Sequence, residues 1–150
     1  MIDLSTIDAR KQLAGKYAAK YGLDAALVAA VCEQESSWNC FAARYEPAFF
    51  SRYIQPMISN GTLSNMTEAT LRSMSIGLMQ TMGEVVREFG YKGNLLALTD
   101  PDTSLDWGCQ KLKKCLDTAG GDFHTALQHW NGGSNLSYAD EVLARMSKYQ

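Results

Sequence analysis

Residues 24–39 read DAALVAAVCEQESSWN, and the reading of that stretch decides the fold expected of the whole chain. Asp24 is a residue type that starts helices, because its side chain accepts from a backbone N–H of the first turn. Leu27, Val28, Val31 and Cys32 then form an apolar stripe at helical spacing. Leu27, Val31, Glu35 and Trp38 fall at i, i+4, i+8 and i+11, so the predicted helix carries a carboxylate on its apolar face. Glu33 lies about 200° around the same helix and is expected to meet water.

A carboxylate on a buried face loses hydration, which raises its pKa. An ordinary glutamate, with a pKa of about 4.3, is protonated in only about one molecule in 500 at pH 7. Raised to about 6–7 it becomes a usable general acid, as the breaking of a glycosidic bond requires. Periodicity alone leaves a second reading open. Glu35 would then make a salt bridge or end the helix at the surface, since apolar stripes often stop a turn before their helix does.

The helical pattern extends outward in both directions. On the N-terminal side, Ser5 and Asp8 resemble a capping box for a helix carrying Ala9, Leu13, Tyr17 and Tyr21, stopped by Gly22. On the other side, residues 39–66 are irregular, with Pro47, Pro56 and the turn-rich run SNGTLSN at 59–65. A short helix is expected from Thr67, and another through Met82, Val85, Val86 and Phe89, closed by Gly90. A longer one after Pro101 uses Leu105, Cys109, Leu112 and Leu116. Phe123, Ala126, Leu127 and Trp130 mark a shorter helix ending at Asn131-Gly132-Gly133. Ser137 and Asp140 form a second capping box for a final helix buried through Tyr138, Val142, Met146 and Tyr149. Seven helical segments and no convincing alternating strand predict a mainly α domain, with a small β-hairpin allowed inside 39–66.

The totals fit this reading. A chain of 150 residues, 46% hydrophobic and 20% charged, suits one globular domain spanning 1–150. A net charge of −2 argues against nucleic acid, which asks for a clustered basic surface. It also offers no electrostatic steering toward an anionic polymer, so binding should depend on a shaped groove. MIDLSTIDARKQLAGKY at the N-terminus lacks the apolar core of a signal peptide, and no stretch is as long as a membrane span. Cys32, Cys40, Cys109 and Cys115 permit three pairings that spacing does not choose between; their plainest use is as small core hydrophobes. They are not spaced as a zinc site, and with only His124 and His129 available no metal or small-molecule cofactor is implied.

Four short motifs then bear on function. VAAVCEQESSWN at 28–39 resembles the Glu-Ser segment of soluble-type lytic transglycosylases and goose-type lysozymes. SIGLMQTM at 75–82 is similar to their Gly-Leu-Met-Gln motif, ALQHWNGG at 126–133 to their Ala-Tyr-Asn-Ala-Gly segment, and YADEVLARMSKY at 138–149 to their closing helix. All four occur in the family's order. The resemblance implies a lysozyme-like helical fold with a glycan cleft, acting on the bond between N-acetylmuramic acid and N-acetylglucosamine in peptidoglycan. It implies Glu35 as catalytic acid, Ser36 as the serine that helps to hold it, and Gln80 and Met82 as positions lining sugar subsites. Asn131 matches the asparagine of the third motif, and Tyr138 the tyrosine opening the last helix near the cleft. The site of action would be the cell wall, whether periplasmic, extracellular or phage-associated, with a monomer as the default.

Two departures qualify the match. The family tyrosine of the third motif is Trp130 here, and an indole can only donate where a phenol donates or accepts. Trp130 can hydrogen-bond Glu35, wall it off or offer a platform to a sugar face. Secondly, forty-one residues separate Glu35 from Gly77, about double the family's usual interval, so an enlarged insertion at about 41–74 is expected to form a lobe over the cleft. Its aromatics Tyr45, Phe49, Phe50 and Tyr53 either pack the lobe, the favoured reading, or stack on sugars.

The reaction has two candidate forms. A lytic transglycosylase uses one carboxyl group as acid and then base, closing a 1,6-anhydro ring on the muramic residue. An inverting muramidase needs a second carboxylate ~6.5–9.5 Å away. Goose-type lysozymes carry an aspartate where this chain has Met82, which favours the transglycosylase. Glu46 keeps the muramidase open, although a structural pairing with Arg44 or Arg52 is the plainer reading. A third reading, a non-catalytic glycan-binding or structural module of a wall-penetrating assembly, is opposed by the retention of Glu35, since binding alone needs no buried acid.

Overall fold

A computed structural model describes residues 3–150. The helix read first from the sequence is its centre. α2 (Ala25–Ser36) starts at Asp24, whose carboxylate accepts from the Leu27 N–H at 2.9 Å. From Ala26 to Cys32 every side chain is buried, so this is a helix buried all round rather than along one stripe. α1 (Ile7–Tyr21) lies against it, ending at Gly22 with φ 64°, a left-handed turn that favours glycine. The N-cap of α1 is Thr6, which accepts from Ala9, and not Ser5. Both hydroxyl residues are suitable caps; Thr6 has the extended backbone that the role needs.

The other walls of the main core are α7 (Pro101–Thr118), α8 (Phe123–Asn131) and α9 (Tyr138–Met146). Leu105, Cys109 and Leu112 of α7, Leu127 of α8 and Val142 of α9 are fully buried against α2 and its neighbours. Tyr17 and Tyr21 each donate to an aspartate of α7, Asp102 and Asp106, at 2.6 Å, docking α1 across α7. The capping box expected at Ser137 does not form. Its backbone is already helical, and its hydroxyl donates to the Glu141 side chain at 2.7 Å.

Residues 43–99 build the other side of the molecule. A three-stranded antiparallel sheet is ordered β1 (Ala43–Tyr45), β2 (Met74–Ile76), β3 (Thr81–Met82), with Arg44 opposite Ser75 and Ser75 opposite Met82. The hairpin allowed inside 39–66 is therefore absent. Only β1 comes from that span, and its partner arrives from the second motif. Between β1 and β2 the chain winds through α3 (Pro47–Phe49), a π turn (Phe50–Ile54), α4 (Gln55–Ser59) and α5 (Met66–Arg72). Ile54, Leu63 and Ala69 give this segment a small core of its own, with Phe49 and Phe50 packed on it. α6 (Gly83–Glu88) and a 3-10 turn (Leu95–Thr99) complete the side around Ile76, Val86, Leu95 and Leu98.

The β2–β3 turn joins the two sides. Gly77 sits at φ 82°, and a Cβ there would lie 2.0 Å from the Leu98 carbonyl oxygen, so only glycine lets the strand end this close to the 3-10 turn. Leu78 and Met79 then enter the main core fully buried. Among the described residues no helix is long and apolar enough to cross a membrane.

Candidate active site

Glu35 sits in the last turn of α2, where the helix leaves the core, and its carboxylate is partly buried. Two donors converge on one of its oxygens. The indole N–H of Trp130 donates to Oε1 at 2.8 Å, and the Tyr138 hydroxyl donates to the same atom at 2.5 Å. Each donor is placed by a helix end. Trp130 is the last apolar residue of α8 before Asn131 and the left-handed Gly132, and Tyr138 is the first residue of α9. Both rings are only 5% exposed, so the bonds form where water competes poorly. Burial, reinforced by the neighbouring Glu35 charge and its hydrogen bond, pushes the Tyr138 phenol far above its ordinary pKa; it acts as a donor and not as a base.

Behind Trp130 stands Lys111 of α7. Its ammonium lies 4.0 Å from the indole ring centroid and donates to the Trp130 carbonyl at 3.3 Å. Burial lowers its pKa, with Cys115 and Glu35 acting in the opposite direction. Sequence reading missed this residue, whose signal is a lysine one turn after Trp107 at the edge of the α7 stripe.

Ser36 is the link to the sheet side. Its hydroxyl lies 2.8 Å from the Leu78 carbonyl oxygen and 3.1 Å from that of Cys32, tying the end of α2 to the β2–β3 turn. Gln80, at φ 46°, turns its side-chain amide inward to donate to Ala42 at 2.9 Å and Gly77 at 3.0 Å. It fixes the turn against the start of β1. Met82, half-buried on β3, receives the Ser75 hydroxyl at its sulfur, 3.2 Å away. Asn131 donates to the Asn135 carbonyl at 3.2 Å and accepts from Ser134, which shapes the 131–135 loop beside Trp130.

Glu46 takes its charge partner from within the strand region: Arg44 Nε lies 2.6 Å from Oε1, and Ser75 donates to the same oxygen at 3.4 Å. Glu33 overturns its expectation. Instead of meeting water it is held by Lys148 and by the Tyr149 hydroxyl, each at 2.5 Å, and its side chain is only 14% exposed. Tyr149 in turn accepts from the Trp38 indole at 2.8 Å, so the C-terminal residues close over the outer face of α2. The four cysteines are free thiols. Burial raises Cys32 well above the ordinary thiol range and pushes Cys109 up to about 12, as expected of core residues without a reactive role.

The comparison with known families bears on this arrangement directly. The family model described as the transglycosylase SLT domain matches residues 12–142, which takes in α2, the β2–β3 turn and α8, and reaches into α9. The chain belongs to the transglycosylase SLT domain family. The membership fits a mainly helical, lysozyme-like fold and supports, in general terms, peptidoglycan cleavage of the lytic transglycosylase type. No curated protein and no solved structure matches the chain.

Proposed function

We propose that this SLT domain cleaves the β-1,4 bond between N-acetylmuramic acid and N-acetylglucosamine, forming a 1,6-anhydromuramic end, with Glu35 as acid and then base. One observation carries the reading: Trp130 and Tyr138 both donate to Oε1, while Oε2 has no protein hydrogen bond among the described residues. In the protonated carboxyl group two donors on Oε1 make that atom the carbonyl oxygen, so the proton resides on Oε2. From there it passes to the glycosidic oxygen as the C1–O4 bond breaks. The carboxylate that remains takes the proton from the muramic 6-hydroxyl as O6 bonds to C1. Protons and electron pairs balance, and no water or second carboxylate is consumed.

Glu46 is better suited to structure than to activating water. Its Oε1 takes an ion pair from Arg44 and a hydrogen bond from Ser75, the structural pairing of the plainer reading, and Met82 in place of the goose-type aspartate favours a reaction run by one carboxylate. We further propose that Gln80, Asn131 and Met82 serve the glycan by shaping the cleft, Gln80 and Asn131 through the turns they hold and Met82 through its exposed edge. Residues 41–74 form a lobe beside it within one domain. Release of soluble fragments from purified peptidoglycan tests the assignment of Glu35. Glu35→Gln is expected to lower the rate by at least about a hundredfold, the usual scale for losing a general acid; retention of more than a tenth of the rate overturns it.

A further inference from the structure

A second feature lies in the lobe and reaches the end of the second motif at Met82. Glu46, Ala48, Phe49, Arg52, Tyr53 and Met82 line an open cavity of about 350 Å³. Phe49 and Tyr53 stand 4.8 Å apart between ring centroids at 47°, a tilted pair that leaves Tyr53 48% exposed. Arg52 lies over the Tyr53 ring at 5.2 Å and makes no ion pair among the described residues. The backbone beneath is unusual. The Gln55 N–H donates to Phe50, five residues back, so the aromatics ride on a π turn, a form concentrated at functional sites. The pocket is also continuous with the second motif: Met82 belongs to it, and Ser75 contacts both Met82 and Glu46.

Packing accounts for Phe50 and, in part, Phe49, which lie on the lobe core. It does not account for the exposure of Tyr53, a guanidinium with no ion-pair partner among the described residues, or the cavity between them and Met82. A partly exposed aromatic ring carrying a guanidinium and bordered by a carboxylate is suited to a pyranose ring, whose C–H groups pack on the aromatic surface while its hydroxyl and acetamido groups meet the polar rim. The geometry points to a saccharide-binding site in the lobe, Phe49–Arg52–Tyr53 with Met82, that holds a sugar ring of the glycan strand. This inference deepens the proposed function and rests on it for the identity of the strand.

The test is binding, which needs no chemistry. The full chain carrying Glu35→Gln is titrated with the β-1,4-linked hexamer of N-acetylglucosamine by calorimetry, with and without Tyr53→Ala. Tyr53→Ala is expected to weaken binding about fivefold to tenfold, the scale of one lost stacking contact, whereas Tyr53→Phe keeps the ring and the affinity. On peptidoglycan, Tyr53→Ala in the otherwise native chain should raise KM with kcat unchanged. An unchanged hexamer affinity in Tyr53→Ala, or no hexamer binding at all, overturns the site. Because these readouts do not depend on Glu35 chemistry, hexamer binding lost with Tyr53→Ala together with continued cleavage by Glu35→Gln would sink the catalytic reading and leave the pocket standing.

Discussion

The indole N–H of Trp130 donates to Oε1 of Glu35 across 2.8 Å, joining α8 to α2 at the one carboxylate on which the chemistry is proposed to depend. A tyrosine stands at this position in the resembling family, and the indole here supplies the donor. Trp130→Phe keeps a ring and removes the N–H. A hydrogen bond to a charged group contributes about 1.5–3 kcal/mol, so the variant should lose roughly tenfold to hundredfold in kcat. Trp130→Tyr, which restores a donor, should recover part of it. Equal activity of Trp130→Phe and the native chain in a wall-clearing assay would remove the hydrogen bond from the account.

Tyr138 supplies the second donor. Burial first, and then the charge of Glu35, hold its phenol far above the ordinary range. It should therefore stay protonated throughout the working range, and the pH–rate profile should contain no limb that disappears in Tyr138→Phe. That variant is expected to lower kcat about tenfold with the same profile shape on the alkaline side. A basic limb below pH 10 that vanishes with the hydroxyl would show the phenol titrating.

Glu33 anchors the C-terminus, and its consequence is for stability. Burial pushes its pKa up, but the hydrogen bonds from Lys148 and Tyr149 outweigh this and hold the carboxyl below its ordinary value. The folded protein thus binds fewer protons at this site than the unfolded chain. The stabilisation is present above the unfolded pKa of about 4.3 and is lost as pH falls through the lower folded value. Glu68 follows the same sign, held down chiefly by the Arg87 hydrogen bond, against burial and with help from Arg72. Glu33→Gln should cost about 1–3 kcal/mol at pH 7. Its deficit relative to the native chain should shrink in denaturant titrations below pH 4, and a deficit constant from pH 7 to pH 3 would contradict the assignment.

Cysteine reactivity reports on the core. Cys32 and Cys109 are fully buried, with thiols held high by desolvation. A maleimide at pH 7.5 should label Cys40, which is partly exposed, and leave Cys32 and Cys109 unmodified until the chain is denatured. Rapid labelling of either buried thiol under native conditions would mean that α2 and α7 separate readily.

Much of the helical frame was legible because its signals are local. Asp24, Gly22, Gly90 and Gly132 stand where the helices start or stop, and Leu105, Cys109 and Leu112 of the α7 stripe are buried as their spacing predicts, while Leu116 is only half-buried. Glu35 stood out for a different reason: a charge among apolar positions is costly, and it is found partly buried at the end of α2. The failures are long-range or too short to have a period. Glu33 was expected to meet water because its partners, Lys148 and Tyr149, lie at the far end of the chain. Strands of two or three residues cannot display alternation, and β2 is largely buried, so the sheet was invisible as a pattern. Of the aromatics at 45–53, Phe49 and Phe50 pack on the lobe core, as the favoured reading has it, while Tyr45 and Tyr53 remain exposed.

The central claim is that Glu35 alone, fed by two donors on one oxygen, runs a cleavage that consumes no water. Mass spectrometry of the soluble fragments released from purified peptidoglycan reads this directly. Fragments ending in 1,6-anhydromuramic acid, absent with Glu35→Gln, are the predicted result. Reducing ends, one water heavier, would contradict it and assign the activation of water to a second group, with Glu46 the first to be tested.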